Sequence, residues 1–96
     1  MAGQSNEQDR SELGAVLEEA KHLICGDRRV DYGDVEDSFK DVAYIWSRIF
    51  KVDVTPEQVA LAMAGLKLCR EFNAHKHDNL TDMCGYAALA DYLHNV

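Results

Sequence analysis

Residues 55–73 read TPEQVALAMAGLKLCREFN, and they decide the fold. Thr55 can accept a hydrogen bond as an N-terminal cap, Pro56 fits the first helical position, and Gln58 completes a capping box. Val59, Met63, Leu66 and then Cys69 or Arg70 follow at helical spacing, which predicts a helix to about Asn73. Downstream, Leu80, Met83, Cys84, Ala87, Ala90 and Leu93 recur with a period near 3.6, so a further helix is expected from Asp78 or Asn79. Upstream, Phe39, Val42, Ala43, Trp46, Ile49 and Phe50 form a stripe that starts near Val35, and Trp46, Phe39 and Phe50 are expected in the core. Leu13, Val16, Leu17, Ala20 and Ile24 mark another stripe over Ser11 to Cys25, with Gly26 placed for a left-handed C-terminal cap. Asp27 to Asp34 reads as a loop, and Val52 to Val54 is too brief for a strand. The expected class is all-α: about four helices with short loops in one small bundle domain, residues 11–96, after a flexible polar N-terminus, residues 1–10.

Composition narrows the function. A chain of 96 residues holds one core, and at this size only about 60–65% of the unfolded surface is buried, so a homo-oligomer is expected to supply the missing margin. Ten Lys and Arg face 17 Asp and Glu, a net charge of −7. That field repels a phosphate polymer, which argues against nucleic acid as a partner but leaves room for a small anionic ligand held by two or three local cations. No apolar run reaches the length of a membrane span, and the polar, acidic MAGQSNEQDRSE does not resemble a targeting peptide. Cys25, Cys69 and Cys84 are odd in number and lack metal-knuckle spacing, so they read as small apolar residues of a reduced, cytoplasmic protein.

Four groups could carry chemistry. In Arg28-Arg29-Val30-Asp31-Tyr32-Gly33-Asp34, adjacent guanidiniums can grip an anion, and Tyr32 beside Gly33 can stack on a base. The same arginines could simply pair with Asp27, Asp31 and Asp34. Lys67 and Arg70 share a helix face, with Arg70 close to the apolar stripe; Arg70 then needs an anionic partner, which Asp82 or Asp78 of the next helix could supply, or a ligand could. In His75-Lys76-His77-Asp78-Asn79-Leu80-Thr81-Asp82, Asp78 and Asp82 share a face and could bind a divalent cation, with His75 or His77 adding nitrogen. Equally, Asp78 or Asn79 could cap the helix and Asp82 could pair with a cation. Glu18-Glu19 reads foremost as a solvated face.

Two resemblances enter on these residues. Over roughly Leu23 to Leu93, the ordered set Arg29-x-x-Tyr32-Gly33-Asp34, Phe39, Trp46, Leu66-Lys67-x-x-Arg70 and His77-Asp78-Asn79-x-x-Asp82-x-x-Gly85-Tyr86 resembles a family of small helical proteins of phages and prophages, classed as a domain of unknown function. More distantly, Asn79-Leu80-Thr81-Asp82-Met83-Cys84-Gly85-Tyr86 resembles the second metal-binding helix of MazG-type and all-α dUTPase-like nucleotide pyrophosphohydrolases. There Asp82 matches the Asp of a Glu-x-x-Asp motif, Asn79 replaces the Glu, and Lys67 and Arg70 stand within the helix that carries the acidic motif in those enzymes. Such enzymes hold magnesium with several carboxylates. Cations in their place imply a fold that binds a nucleotide without necessarily cleaving it.

The leading expectation is a small nucleotide-binding protein with no cofactor. Arg28, Arg29, Lys67 and Arg70 would hold phosphates, Tyr32 and Tyr86 would stack on the base, and His77 or Asn79 would meet base or ribose edges, in a pocket between the third and fourth helices. The phage resemblance implies a sponge that sequesters a nucleotide immune signal or a modified nucleotide in the host cytoplasm. One alternative is a magnesium-dependent (d)NTP pyrophosphohydrolase using Asp78, Asp82, Asp34 and Glu71; another is a protein-interaction module without a ligand.

Overall fold

The computed structural model describes residues 12–26 and 34–96. The polar N-terminus, the expected helix start at Ser11, and Arg28, Arg29 and Tyr32 lie outside the described residues. Four helices follow in chain order: α1 Ala15–Cys25, α2 Val35–Phe50, α3 Pro56–Asn73 and α4 His77–His94. The described residues contain no strand.

Local chemistry explains most boundaries. At the start of α3 the Gln58 amide donates to Thr55 Oγ1 (3.1 Å), and the Thr55 amide donates to Gln58 Oε1 (2.9 Å), so both halves of the capping box are made. Asp34 caps α2, accepting from the amides of Glu36 (2.7 Å) and Asp37 (3.4 Å). Lys51 ends α2 in the left-handed region at φ 58°. Just before it, Ser47 Oγ donates to the Ala43 carbonyl (2.7 Å) and accepts from the Val54 amide (2.9 Å), which ties the turn back onto the helix.

Three expectations are corrected. The regular helix α1 begins at Ala15, and a turn at Gly14 interrupts the predicted start; glycine costs about 1 kcal/mol inside a helix. Gly26 is not left-handed (φ −111°, ψ −120°); its amide donates to the His22 carbonyl at 2.8 Å and closes the last turn. α4 starts at His77, and neither Asp78 nor Asn79 is its cap residue. Asp78 sits in the first turn, where a carboxylate suits the helix dipole.

α4 is the central helix. It packs along α3 on one side and α1 on another, while α2 packs on α3. From Asn79 to Tyr86 every residue of α4 is buried or half-buried, so this segment has no solvent face. The core is built from small residues: Ala60, Ala90 and Leu93, with Phe39 and Leu89 packed against them, and a fully buried Val59 nearby. Small side chains let α3 and α4 approach closely.

The buried face of α3 departs from the predicted stripe. After Val59, Ala60 and Met63 it continues through Ala64, Lys67 and Glu71, whereas Leu66, Cys69 and Arg70 are exposed. The inward face therefore turns polar in its second half. The outward face of α3 is apolar instead: Leu61 (54% exposed), Leu66, Leu68 and Phe72 (81%) all open outward. Ile45, Ile49 and Phe50 of α2, and Leu13 and Leu17 before and within α1, are also exposed, and Trp46 is half-buried. Cys25 and Cys69 are exposed thiols, and Cys84 is half-buried. No described helix is long and apolar enough to cross a membrane.

Thr55→Ala should cost about 1 kcal/mol of stability, the usual price of a lost N-cap. Urea unfolding should show a lower midpoint with an unchanged slope.

Candidate functional site

The polar second half of α3 meets α4 in a seam. Lys67 Nζ lies 3.0 Å from Asp82 Oδ2, and both side chains are largely covered, at 16% and 13% exposed. One turn further along α3, Glu71 accepts from the Lys76 amide (3.0 Å) and from Asn79 Nδ2 (3.3 Å), and it also bonds His75. Asn79 Nδ2 also reaches the Ala74 carbonyl at 3.5 Å. The buried amide of Asn79 is thereby satisfied from the α3–α4 junction. Hydrogen bonding to His75 first, then to the Lys76 amide, and also to Asn79, holds the Glu71 carboxyl below the ordinary carboxylate range.

On the other flank of α4, His77 Nε2 donates to Glu19 Oε2 of α1 at 2.7 Å, and the buried Thr81 hydroxyl donates to the same oxygen at 3.2 Å. Glu19 is exposed, as the sequence reading expects, and from that surface it also reaches His77 and Thr81 of α4.

A cavity of about 260 Å³ opens between α1, α2 and α4. Leu23, Ile24, Val35, Phe39 and Leu89 make its apolar walls, and Ser38, Thr81, Asp82 and Tyr86 bring polar groups. Gly85 belongs to the wall; a Cβ there would sit 3.4 Å from Ile24 Cγ2, so the missing side chain keeps α1 close and the cavity open.

The expected pocket between α3 and α4 is therefore corrected. That seam is filled by the Lys67–Asp82 pair and the Glu71 network, and the cavity lies across α4. Of the predicted site residues, Asp82 and Tyr86 line the cavity, while Lys67 reaches it only through Asp82. His77 and Asn79 are engaged by Glu19 and Glu71. Arg70 is exposed, and it is Lys67 that takes the Asp82 partner expected for Arg70. Asp78 is exposed and Asp82 is ion-paired, and among the described residues no three His, Cys, Asp or Glu side chains converge to hold a metal ion. Glu71 and Glu19 are the polar hubs that the sequence reading underrates. For Glu71 the signal is present: Val59, Met63, Lys67 and Glu71 repeat every four residues.

These features define a small all-α protein with a largely apolar cavity between α1, α2 and α4 and a polar interhelical seam. Residues 15–94 match a family described as a domain of unknown function (DUF6378), and the chain belongs to that family. It is similar to the Gene 55 protein of Mycobacterium phage D29, with 35% identity over 81 residues covering 83% of this chain and 54% of that protein. The Gene 55 protein of Mycobacterium phage L5 is 34% identical over 79 residues, covering 80% of this chain and 51% of the relative. The chain thus spans about half the length of the curated relatives it matches. No solved structure matches it.

Lys67→Met should leave Asp82 without its cation and cost about 1–3 kcal/mol, the scale of a buried polar group stripped of its partner. Adding Asp82→Leu should restore most of the loss, and a double-mutant cycle by urea unfolding reads the coupling. Stability against pH gives a second check. The lowered Glu71 value means its contribution is present above the ordinary carboxylate pKa, about 4.3, and is lost as pH falls through the folded value. Wild type should therefore lose stability more steeply than Glu71→Gln on acidification below about pH 4. Parallel curves would contradict the assignment.

Proposed function

We propose that this protein binds a small nucleotide-type ligand in the cavity between α1, α2 and α4. One observation carries the reading: Leu23 and Ile24, and Val35 and Ser38, line the cavity at the two helix ends that the Arg28-Arg29-Val30-Asp31-Tyr32-Gly33 segment connects. Arg28 and Arg29 follow Ile24 by four and five residues, a main-chain reach of at most roughly 14–18 Å. An apolar cavity with a few polar groups suits a planar base, and guanidiniums suit phosphates. Tyr86 in the wall and Tyr32 in the connecting segment are the stacking candidates. Lys67 acts here through Asp82, as a positioning residue.

This reading is favoured over magnesium-dependent hydrolysis because Asp82, the residue matched to a metal ligand, is paired with Lys67. Binding without turnover, in host cytoplasm, is the behaviour of a sponge, and phage relatives fit that role. The working unit is a homo-oligomer: Leu61, Leu68 and Phe72 lie seven and then four residues apart on one exposed face of α3, which a partner copy would cover.

Calorimetry with a panel of nucleoside mono-, di- and triphosphates tests the binding. One class should bind in the presence of a chelator and be recovered intact. Gly85→Leu, which fills the cavity, should abolish binding, and Arg28→Ala with Arg29→Ala should weaken it by about 1.5–3 kcal/mol per charged hydrogen bond lost. Magnesium-dependent product release would favour the enzyme instead. Sedimentation should show an oligomer that Phe72→Glu dissociates; a wild-type monomer at micromolar concentration would remove the oligomer from the account.

A further inference from the structure

The cavity carries more information than its volume. Its walls are mostly apolar on the α1 and α2 sides, where Ser38 is the one polar residue, and a carboxylate, Asp82, lies on the α4 side beside Thr81 and Tyr86. Asp82 has one oxygen, Oδ2, at 3.0 Å from Lys67. An ion-paired carboxylate only accepts hydrogen bonds, and each of its oxygens can accept more than one. A group seated against it must therefore offer N–H or O–H donors, and on a nucleobase the donors are N–H groups. Acceptors at the same spot would be repelled, and an unpaired polar edge in a largely apolar cavity is costly. Thr81 brings no free donor to compete, since its hydroxyl is directed to Glu19 and to the His77 carbonyl.

The nucleobases differ sharply by this criterion. The Watson–Crick edge of guanine carries two adjacent donors, N1–H and the N2 amino group, which match a carboxylate side by side. Adenine and cytosine each offer one amino group next to a ring-nitrogen acceptor. Uracil and thymine place one N–H between two carbonyls. Hypoxanthine keeps N1–H and lacks the amino group. The cavity volume of about 260 Å³ falls just below the range of pockets that enclose drug-sized ligands, so it takes a base and leaves the sugar and phosphates outside.

Building on the nucleotide-binding reading, we propose that Asp82 is the residue that selects the base, and that the ligand is a guanine nucleotide whose N1–H and N2 amino group donate to its carboxylate. Lys67 then serves to fix that carboxylate in place. The match to Asp82 in the pyrophosphohydrolase-like motif is thereby a base-reading position in this chain.

The test is a base series on the unmodified protein, measured by calorimetry with chelator present. Guanosine, inosine, adenosine, cytidine and uridine 5′-monophosphates are the probes. Guanosine monophosphate should bind about 10–100-fold more tightly than the adenosine and pyrimidine compounds, the range expected for a bidentate contact. Inosine monophosphate should fall between them. Asp82→Asn should flatten the series while circular dichroism and sedimentation stay as in wild type. If that variant fails to fold, the wild-type series still decides the matter. Equal affinity for all five, or a preference for another base, overturns the role of Asp82 and leaves nucleotide binding standing. Arginine amide binding more tightly than guanosine monophosphate also overturns it, by making the occupant a guanidinium. No binding by any of the five overturns the nucleotide reading itself.

Discussion

The contact between Lys67 and Asp82 organises the molecule, because it joins the most extensive helix pair at the point where the apolar core gives out. Toward the start of α3 and the end of α4, Val59, Ala60, Ala90 and Leu93 pack without polar groups. Toward the other end, the same two faces present Lys67 and Glu71 against Asp82 and Asn79. A half-covered ion pair adds little net stability over an apolar pair of similar shape, but breaking it leaves a charge stranded. Its main effect is to fix register. With α4 held against α3, Thr81 and His77 meet Glu19, and Gly85 meets Ile24 on the opposite flank. The cavity is the space left when α1 and α2 are placed on that flank.

Much of this was legible in the residues, and the failures have a common cause. Helix starts governed by local chemistry read correctly: Thr55-Pro56-Glu57-Gln58 announces α3, and the chain restarts helically at Val35 as expected. Positions governed by packing on two sides did not. Periodicity finds one apolar stripe facing one core, and residues 79–86 of α4 are covered all round, with Asn79 and Thr81 among the most buried. Likewise the predicted stripe on α3 follows Leu66 and Cys69 outward, because apolar spacing alone does not distinguish a buried face from an exposed one. The true inward path runs through Lys67 and Glu71, whose partners lie 15 and 8 residues further along the chain. The cavity involves residues separated by some sixty positions, such as Ile24 and Gly85, and no local pattern brings them together.

The outward apolarity of α3 and the cavity between α1, α2 and α4 are separate features with separate demands. The first asks for a cover of similar chemistry, since it carries one charge, Arg70, among Leu61, Ala62, Gly65, Leu66, Leu68, Cys69 and Phe72. The second is a partly polar cavity whose lining comes from α1, α2 and α4. Membership of the DUF6378 family and similarity to the Gene 55 proteins of two mycobacteriophages give this arrangement its setting. The helical domain spans about half of those relatives.

The proposed ligand site is the cavity between α1, α2 and α4, which shares Asp82 with the ion pair. Amide chemical-shift mapping of the isotope-labelled protein during titration with guanosine monophosphate tests it most directly. The account predicts that the largest changes fall on Ile24, Ser38, Phe39, Gly85 and Tyr86, with Leu61, Leu68 and Phe72 unmoved. Changes concentrated on the outer face of α3, or no changes at any residue, would contradict it.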